Sequence, residues 1–143
     1  MATPVGSVVE AVERALEVTD GLVTDVGSVK ADLCGRIHSP RFVGGHPMAG
    51  SELDGIDGAD PEMFEGAVWV LTPDSDVPDE TFATVASVIS TLGAEVVALP
   101  PFDHDRLVAV VSHVPHLTAA SLMAMASERA EEHASLLLSL IHI

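Results

Sequence analysis

The sequence contains little cysteine and little positive charge. Cys34 is the only cysteine in 143 residues, which excludes an internal disulfide framework and favours a buried thiol in a reducing compartment. Six basic residues stand against 22 acidic ones, giving a formal net charge of −16 that argues against a nucleic-acid or anionic-membrane partner. Aromatic residues make up only 3%, but hydrophobic residues make up 48%, which is too many for a disordered chain.

Several sequence signals are also missing. Residues 1–4 lack the basic and apolar regions of a signal peptide. The most apolar stretch, 107–126, is interrupted by serine, histidine and proline, and we interpret it as too polar for a membrane span. Neither a Gly-x-Ser-x-Gly elbow nor a Walker-type phosphate loop occurs. These absences predict a soluble cytoplasmic protein.

Short apolar runs alternate with helical patterns in the first hundred residues. The runs 22–24, 41–44, 68–71 and 95–99 adjoin turn residues and are typical of strands buried on both faces. Apolar residues recur at helical spacing over 8–16 and 82–92, and the second pattern begins after acidic residues and ends at a glycine. Such alternation predicts an α/β fold with parallel strands joined by crossover helices.

The sequence changes character at Pro100–Pro101. From Asp103 onward there is no glycine and no strand pattern, only an apolar helical stretch rich in alanine, leucine and methionine. We therefore predict two domains, an α/β part over 1–100 and a helical part over 101–143. A helix this apolar needs cover from a missing remainder, a second subunit, or both. Both ends of the chain are interpreted as incomplete.

The segment 24–30, TDVGSVK, is the first candidate for a functional site. It follows a predicted strand, and ligands in open α/β sheets gather at the carboxyl ends of strands. Gly27 permits a tight turn, and Ser28 has two interpretations: a ligand contact, or an ordinary N-cap of the next helix.

The segment 44–52, GGHPMAGSE, is the second candidate. Its two glycines allow close backbone approach, and Pro47 restricts the chain next to His46. An imidazole with an ordinary pKa near 6.5 is mostly neutral at pH 7 and can act as a base. The alternative is a loop histidine that hydrogen-bonds its own turn.

The segment 112–116, SHVPH, is the third candidate. Its two histidines are three residues apart, a spacing that places them on one helical face. Together with His46, or with Asp103–His104–Asp105, they suggest a metal site, although one cysteine and no His-Glu-x-x-His motif make that signal weak. A partly buried helix face and a substrate contact both remain open for these residues.

Taken together and in this order, these segments resemble the prephenate/arogenate dehydrogenase family. The resemblance rests on TDVGSVK at 24–30, RFVGGHPMAGSE at 41–52, GAVWVLTP at 66–73, and DHD with VSHVPH within 103–116. It extends from Val5 to Met125. It implies the C-terminal half of a Rossmann-type dinucleotide-binding domain, followed by the start of an all-helical domain that forms an intertwined homodimer.

The resemblance also implies an activity and a set of site residues. The family transfers a hydride from prephenate or arogenate to NAD or NADP with loss of carbon dioxide, giving 4-hydroxyphenylpyruvate or tyrosine. His46 is implied to be the catalytic histidine, oriented by Ser28. No metal is implied. The remaining implied contacts are Ser51, Glu52, Ser112, His113 and His116 for the substrate, and Thr24, Asp25, Gly27 and Ser28 for the cofactor.

The sequence also departs from the family. The Gly-x-Gly-x-x-Gly fingerprint is absent, as is the arginine that holds a substrate carboxylate, so we expect an incomplete dehydrogenase. Two other hypotheses stay open. A metal-dependent hydrolase using His46, His113 and His116 predicts stoichiometric metal, and a non-catalytic regulatory module predicts that loss of His46 is tolerated.

Overall fold

A computed structural model of the protein describes residues 2–51 and 55–140. The chain forms two compact units, Met1–Arg106 and Leu107–Ile143. In chain order the helices and strands up to the unit boundary are α1 (Val5–Val18), β1 (Val23–Thr24), α2 (Ala31–Arg36), β2 (Phe42–Pro47), β3 (Val68–Thr72), α3 (Asp79–Ser90), β4 (Glu95–Ala98) and α4 (Pro101–Val108), with one 3-10 turn at Gly55–Gly58. The predicted alternation of strands and helices is confirmed.

The four strands form one mixed sheet in the order β1-β2-β3-β4. Strand β1 is parallel to β2 and β3 is parallel to β4, but β2 and β3 are antiparallel. The prediction of parallel pairing throughout was therefore wrong at the centre of the sheet. A parallel connection needs a crossover, usually a helix, whereas the described part of the β2–β3 connection contains only the 3-10 turn.

Strand β2 runs three residues beyond its predicted end. Gly44, Gly45 and His46 pair with residues of β3, so the histidine lies within the strand and not in a following loop. A Cβ on Gly45 would lie 2.6 Å from the backbone oxygen of Asp25 and 2.9 Å from Oγ1 of Thr24. The glycine therefore allows the end of β1 to approach β2 closely, next to His46.

Helices on the sheet bury two apolar clusters. One joins α1 and α2 to the sheet, and the other lies between α3 and strands β2 and β3. Cys34 is buried in the first cluster and Trp69 in the second, as the sequence predicts. Burial of each large side chain of this kind contributes about 1.5–3 kcal/mol to folding.

The second unit is helical. A π-helical segment, Ala109–His113, is followed by α5 (Val114–Leu140), which confirms the predicted change to helix. The helical stretch Pro101–Ser127 contains an 18-residue window with a mean hydropathy of 1.5, which is long and apolar enough to cross a membrane by length and composition alone, so the interpretation that this region is too polar was wrong by that criterion. A helix whose apolar faces pack against another protein chain can have the same length and hydropathy.

Candidate active site

The turn after β1 is built around the buried carboxylate of Asp25. Its Oδ1 accepts a hydrogen bond from the backbone N–H of Gly45 at 3.0 Å, and its Oδ2 accepts one from the N–H of Gly27 at 2.8 Å. The ammonium group of Lys30 forms an ion pair with Oδ2, and both side chains have 0% exposure. Asp25 thus holds the turn against β2, and the side chain of Lys30 lies inside the protein.

The helix after this turn is capped by a residue far away in sequence. Asp105 accepts hydrogen bonds from the backbone N–H of Lys30 (2.8 Å, Oδ1) and of Ala31 (2.9 Å, Oδ2), the first groups of α2. The interpretation of Ser28 as the N-cap was wrong, because the helix begins at Ala31 and its N-cap residue is Lys30. A carboxylate satisfies free N–H groups at a helix start as well as a hydroxyl does.

Three side chains form a hydrogen-bonded chain that ends at His46. Nδ1 of His46 lies 2.9 Å from Nε2 of His104, and Nδ1 of His104 lies 2.8 Å from Oδ1 of Asp105. His104 has 0% exposure, whereas His46 is half-buried. The two rings meet edge to face, with centroids 5.1 Å apart. These bonds therefore connect His46 on strand β2, through helix α4, to the start of α2.

Burial and nearby charges keep His46 neutral. Desolvation by burial, with the electrostatic effects of His104 and Lys30, lowers the pKa of His46 from 6.5 to about 4, and the carboxylates of Asp25 and Asp105 only partly oppose this. Burial alone would raise the pKa of the Asp105 carboxyl, but hydrogen bonds from Ala31, Lys30 and His104 outweigh it and hold that pKa below its ordinary value. At pH 7 a neutral imidazole thus lies at one end of the chain and a carboxylate at the other.

The described residues leave Nε2 of His46 without a hydrogen-bond partner. A neutral imidazole with one free ring nitrogen can accept a proton from a bound molecule. Sequence reasoning missed His104 as the neighbour of His46 and considered it only as a metal ligand. The signal available was the acid-flanked histidine in Asp103–His104–Asp105, directly after the Pro100–Pro101 boundary.

The other predicted residues of the first unit differ in their exposure. Thr24 ends β1 and is half-buried, as are Gly27 and Ser28 in the turn that follows it. Within residues 2–51 and 55–140, no hydrogen bond joins Ser28 to His46, and Nδ1 of His46 is bonded to His104 instead. Ser51 is exposed, and Glu52 lies outside the described residues.

The remaining predicted residues belong to the second unit. Ser112 and His113 lie in the π-helical segment and His116 in the first turn of α5, and all three are exposed. In the part of the chain that the structure describes, no group of three or more histidine, cysteine or acidic side chains is arranged to hold a metal ion. The metal-dependent hydrolase hypothesis thus lacks a site among these residues.

Two family models match the chain. Residues 1–98 match the model described as prephenate dehydrogenase, nucleotide-binding domain, and residues 100–140 match prephenate dehydrogenase, dimerization domain.

Relatives of known function and structure agree with these matches. The prephenate dehydrogenase of Lactococcus lactis is 33% identical, over 93% of this chain and 38% of the relative. Among solved structures, prephenate dehydrogenase from Aquifex aeolicus in complex with hydroxyphenyl propionate and NAD+ is 33% identical with a TM-score of 0.82, over 89% of this chain and 46% of that chain.

A second solved structure, arogenate dehydrogenase from Synechocystis, is 36% identical with a TM-score of 0.77, over 97% of this chain and 52% of that chain. The chain therefore spans between 38% and 52% of the length of these three relatives.

Proposed function

The chain belongs to the prephenate dehydrogenase family, and we propose that it is part of an enzyme that oxidises and decarboxylates prephenate or arogenate with NAD or NADP. The observation that carries the proposal is a neutral, half-buried His46 with a free Nε2 at the carboxyl-terminal end of the first two strands. Ligands of open α/β sheets bind at that end. The Aquifex relative holds NAD+ and a hydroxyphenyl acid together, which supports both halves of the assignment.

His46 is proposed as the proton acceptor. When bound, the dinucleotide supplies the hydride acceptor. As hydride leaves the carbon that carries the ring hydroxyl, that hydroxyl becomes acidic, and Nε2 of a neutral histidine within reach takes its proton. The ring carboxylate leaves as carbon dioxide, and aromatisation provides the driving force.

The turn 24–28 fits a dinucleotide. It follows β1, and its backbone is held against β2 by the buried Asp25 carboxylate, so its shape is fixed before a ligand binds. Ser28 is half-buried, and none of the described residues hydrogen-bonds its hydroxyl, which leaves that group available to a ligand. We assign the cofactor contacts to Thr24, Asp25, Gly27 and Ser28, with Asp25 acting through its backbone because both of its carboxylate oxygens are engaged within the protein.

The substrate contacts are proposed from the family motifs. Ser51 and Glu52 follow the strand that carries His46, and the other contacts, Ser112, His113 and His116, belong to the helical part. We propose that residues 1–100 are a partial nucleotide-binding domain and that 101–143 begin a helical domain. The match of 100–140 to a dimerization domain supports a homodimer, and the biosynthetic relatives support a cytoplasmic location.

The experiment is an assay of the whole protein that contains this chain. Prephenate and arogenate are each offered with NAD+ and with NADP+, and reduced cofactor, carbon dioxide and the aromatic product are measured together. The proposal expects equal amounts of all three for at least one combination. Failure of all four combinations in a folded protein would refute it.

The identity of the substrate is decided by the same assay. Tyrosine as the product identifies arogenate as the substrate, and 4-hydroxyphenylpyruvate identifies prephenate. The cofactor preference follows from the ratio of kcat/KM for NAD+ to that for NADP+.

A further inference from the structure

His104 is a fully buried histidine that the proposed mechanism does not yet use. Its exposure is 0%, and both of its ring nitrogens have a hydrogen-bond partner, Asp105 on Nδ1 and His46 on Nε2. A buried imidazole with two ring partners has its protonation pattern set by those partners.

Asp105 determines which nitrogen of His104 carries hydrogen. Its carboxylate accepts from three donors, the backbone N–H groups of Lys30 and Ala31 and Nδ1 of His104. These bonds favour the ionised carboxylate, and an ionised carboxylate only accepts hydrogen bonds. The hydrogen between the two side chains therefore lies on Nδ1 of His104.

The tautomer of His104 in turn determines the tautomer of His46. When His104 carries hydrogen on Nδ1 alone, its Nε2 has a lone pair, and the 2.9 Å contact between the rings is then a hydrogen bond donated by Nδ1 of His46. His46 is left with its lone pair on Nε2, the nitrogen to which none of the described residues is hydrogen-bonded. We infer that His104, held by Asp105, is a positioning residue that fixes His46 in the tautomer able to accept a proton at Nε2.

The inference extends to the proton transfer itself, and this extension rests on the proposed function. When the O–H bond of the substrate breaks, a new N–H bond forms at Nε2 of His46. The N–H bond at Nδ1 of His46 then breaks as one forms at Nε2 of His104. His46 ends neutral, and the positive charge lies on His104 next to the carboxylate of Asp105.

The charges around the two rings favour a positive charge on His104 over one on His46. Lys30 is paired with Asp25, and its positive charge works against an imidazolium on His46. An imidazolium on His104 is hydrogen-bonded directly to a carboxylate at 2.8 Å. The arrangement resembles the use of a carboxylate to orient and stabilise a catalytic histidine in serine hydrolases, with one more ring between them.

The test begins with the tautomers, which are measured without any turnover. The whole protein is labelled with 15N-histidine, and two-bond proton–nitrogen spectra distinguish the ring nitrogen that carries hydrogen from the one that does not. Signals are assigned by their loss in His46→Asn and His104→Gln. We expect hydrogen on Nδ1 of both His46 and His104 at pH 7, and hydrogen on Nε2 of His46 would overturn the inference.

Two substitutions of His104 separate tautomer control from proton transfer. The amide oxygen of His104→Gln can still accept from Nδ1 of His46 but cannot take up a proton, so we expect the tautomer to be kept and kcat to fall roughly tenfold with KM little changed. His104→Phe offers no acceptor, so we expect His46 to populate both tautomers and kcat to fall about 10²-fold. His38→Gln and His38→Phe, at an exposed histidine, are the matched controls.

The outcomes separate this inference from the proposed function. A His46 tautomer that does not respond to His104→Phe overturns the inference, and if that variant fails to fold, the wild-type and His104→Gln spectra still decide. Absence of turnover in a wild-type protein with the expected tautomers refutes the proposed function alone. Turnover with hydrogen on Nε2 of His46 refutes the inference alone.

Discussion

The ring of His46 on β2 is hydrogen-bonded at 2.9 Å to the ring of His104 on α4, 58 positions later in the chain. Asp105, the next residue on α4, binds the first N–H groups of α2. The middle of α4 therefore connects the strand that carries the candidate base to the turn proposed to hold the cofactor. A substitution at this junction is expected to affect both the fold and the chemistry.

Removing the carboxylate of Asp105 should destabilise the protein. Asp105→Ala leaves the N–H groups of Lys30 and Ala31 without their acceptor, and loss of a helix cap costs about 0.5–2 kcal/mol in the free energy of unfolding. Chemical denaturation measures the change. Asp103→Ala, at an exposed acidic residue of the same helix, is the control and should cost only a few tenths of a kcal/mol. Equal effects of the two substitutions would show that the cap contributes nothing.

Breaking the buried ion pair between Lys30 and Asp25 should lower the free energy of unfolding far more than breaking an exposed pair. Lys30→Ala leaves the Asp25 carboxylate buried without its counter-ion, and breaking a buried pair from one side costs about 3–5 kcal/mol. The matched control is Arg36→Ala, which breaks a pair with Asp32 whose side chains are 61% and 76% exposed, and which should cost about 0–1 kcal/mol. Urea denaturation of both variants gives the comparison, and a loss below 1 kcal/mol for Lys30→Ala would contradict the buried pairing.

Replacing Gly45 and Gly35 by alanine should change the stability of the protein in opposite directions. A Cβ at Gly45 would lie 2.6 Å from a backbone oxygen, which real Cβ atoms do not tolerate, so Gly45→Ala should lower the melting temperature and move His46. Gly35 lies in α2 with nothing within 4 Å of such a Cβ, and Gly35→Ala should stabilise the helix by about 0.5–1 kcal/mol. Thermal melts of both variants test the pair, and a neutral Gly45→Ala would show that β1 and β2 are not held this closely.

The stability of the protein should fall in mildly acidic solution because of His46. Its pKa is 6.5 in the unfolded chain and about 4 in the folded protein, so the unfolded state takes up the proton first as the pH falls. The contribution of neutral His46 to the free energy of unfolding is complete above pH 6.5 and is lost progressively between pH 6.5 and pH 4. Unfolding free energies measured across that range should depend less on pH in His46→Asn than in the wild type, whereas His38→Asn should keep the wild-type dependence. An identical pH dependence in His46→Asn and the wild type would contradict the lowered pKa.

Much of the fold was accessible from the sequence because its signals are local. The helical spacing over 82–92, the apolar run 68–71 and the loss of strand pattern after Asp103 each predict the element that is present. The antiparallel pairing of β2 and β3 was not accessible, because a strand buried on both faces has the same apolar pattern in either direction.

Only part of the candidate site could be predicted from the sequence, because only part of it has local sequence signals. The glycines and proline around His46 lie next to it in sequence and mark it as a special position. Its partner His104 and the α2 cap Asp105 are brought to it by tertiary structure, and neither residue has a local pattern that points to positions 58 to 75 residues away. The local pattern around Ser28 is compatible with an N-cap, which was one of its two interpretations, but the helix begins later and uses the distant carboxylate.

The most direct test of the central claim is the kcat of His46→Asn in the whole protein, with prephenate or arogenate, whichever the wild type oxidises. The account predicts a fall of roughly 10²–10⁴-fold with a much smaller change in KM, because a positioned general base acts mainly on the chemical step. His38→Asn, which alters an exposed histidine, should retain wild-type kcat. A folded His46→Asn protein with a kcat within a few-fold of the wild type would contradict the assignment of His46 as the proton acceptor.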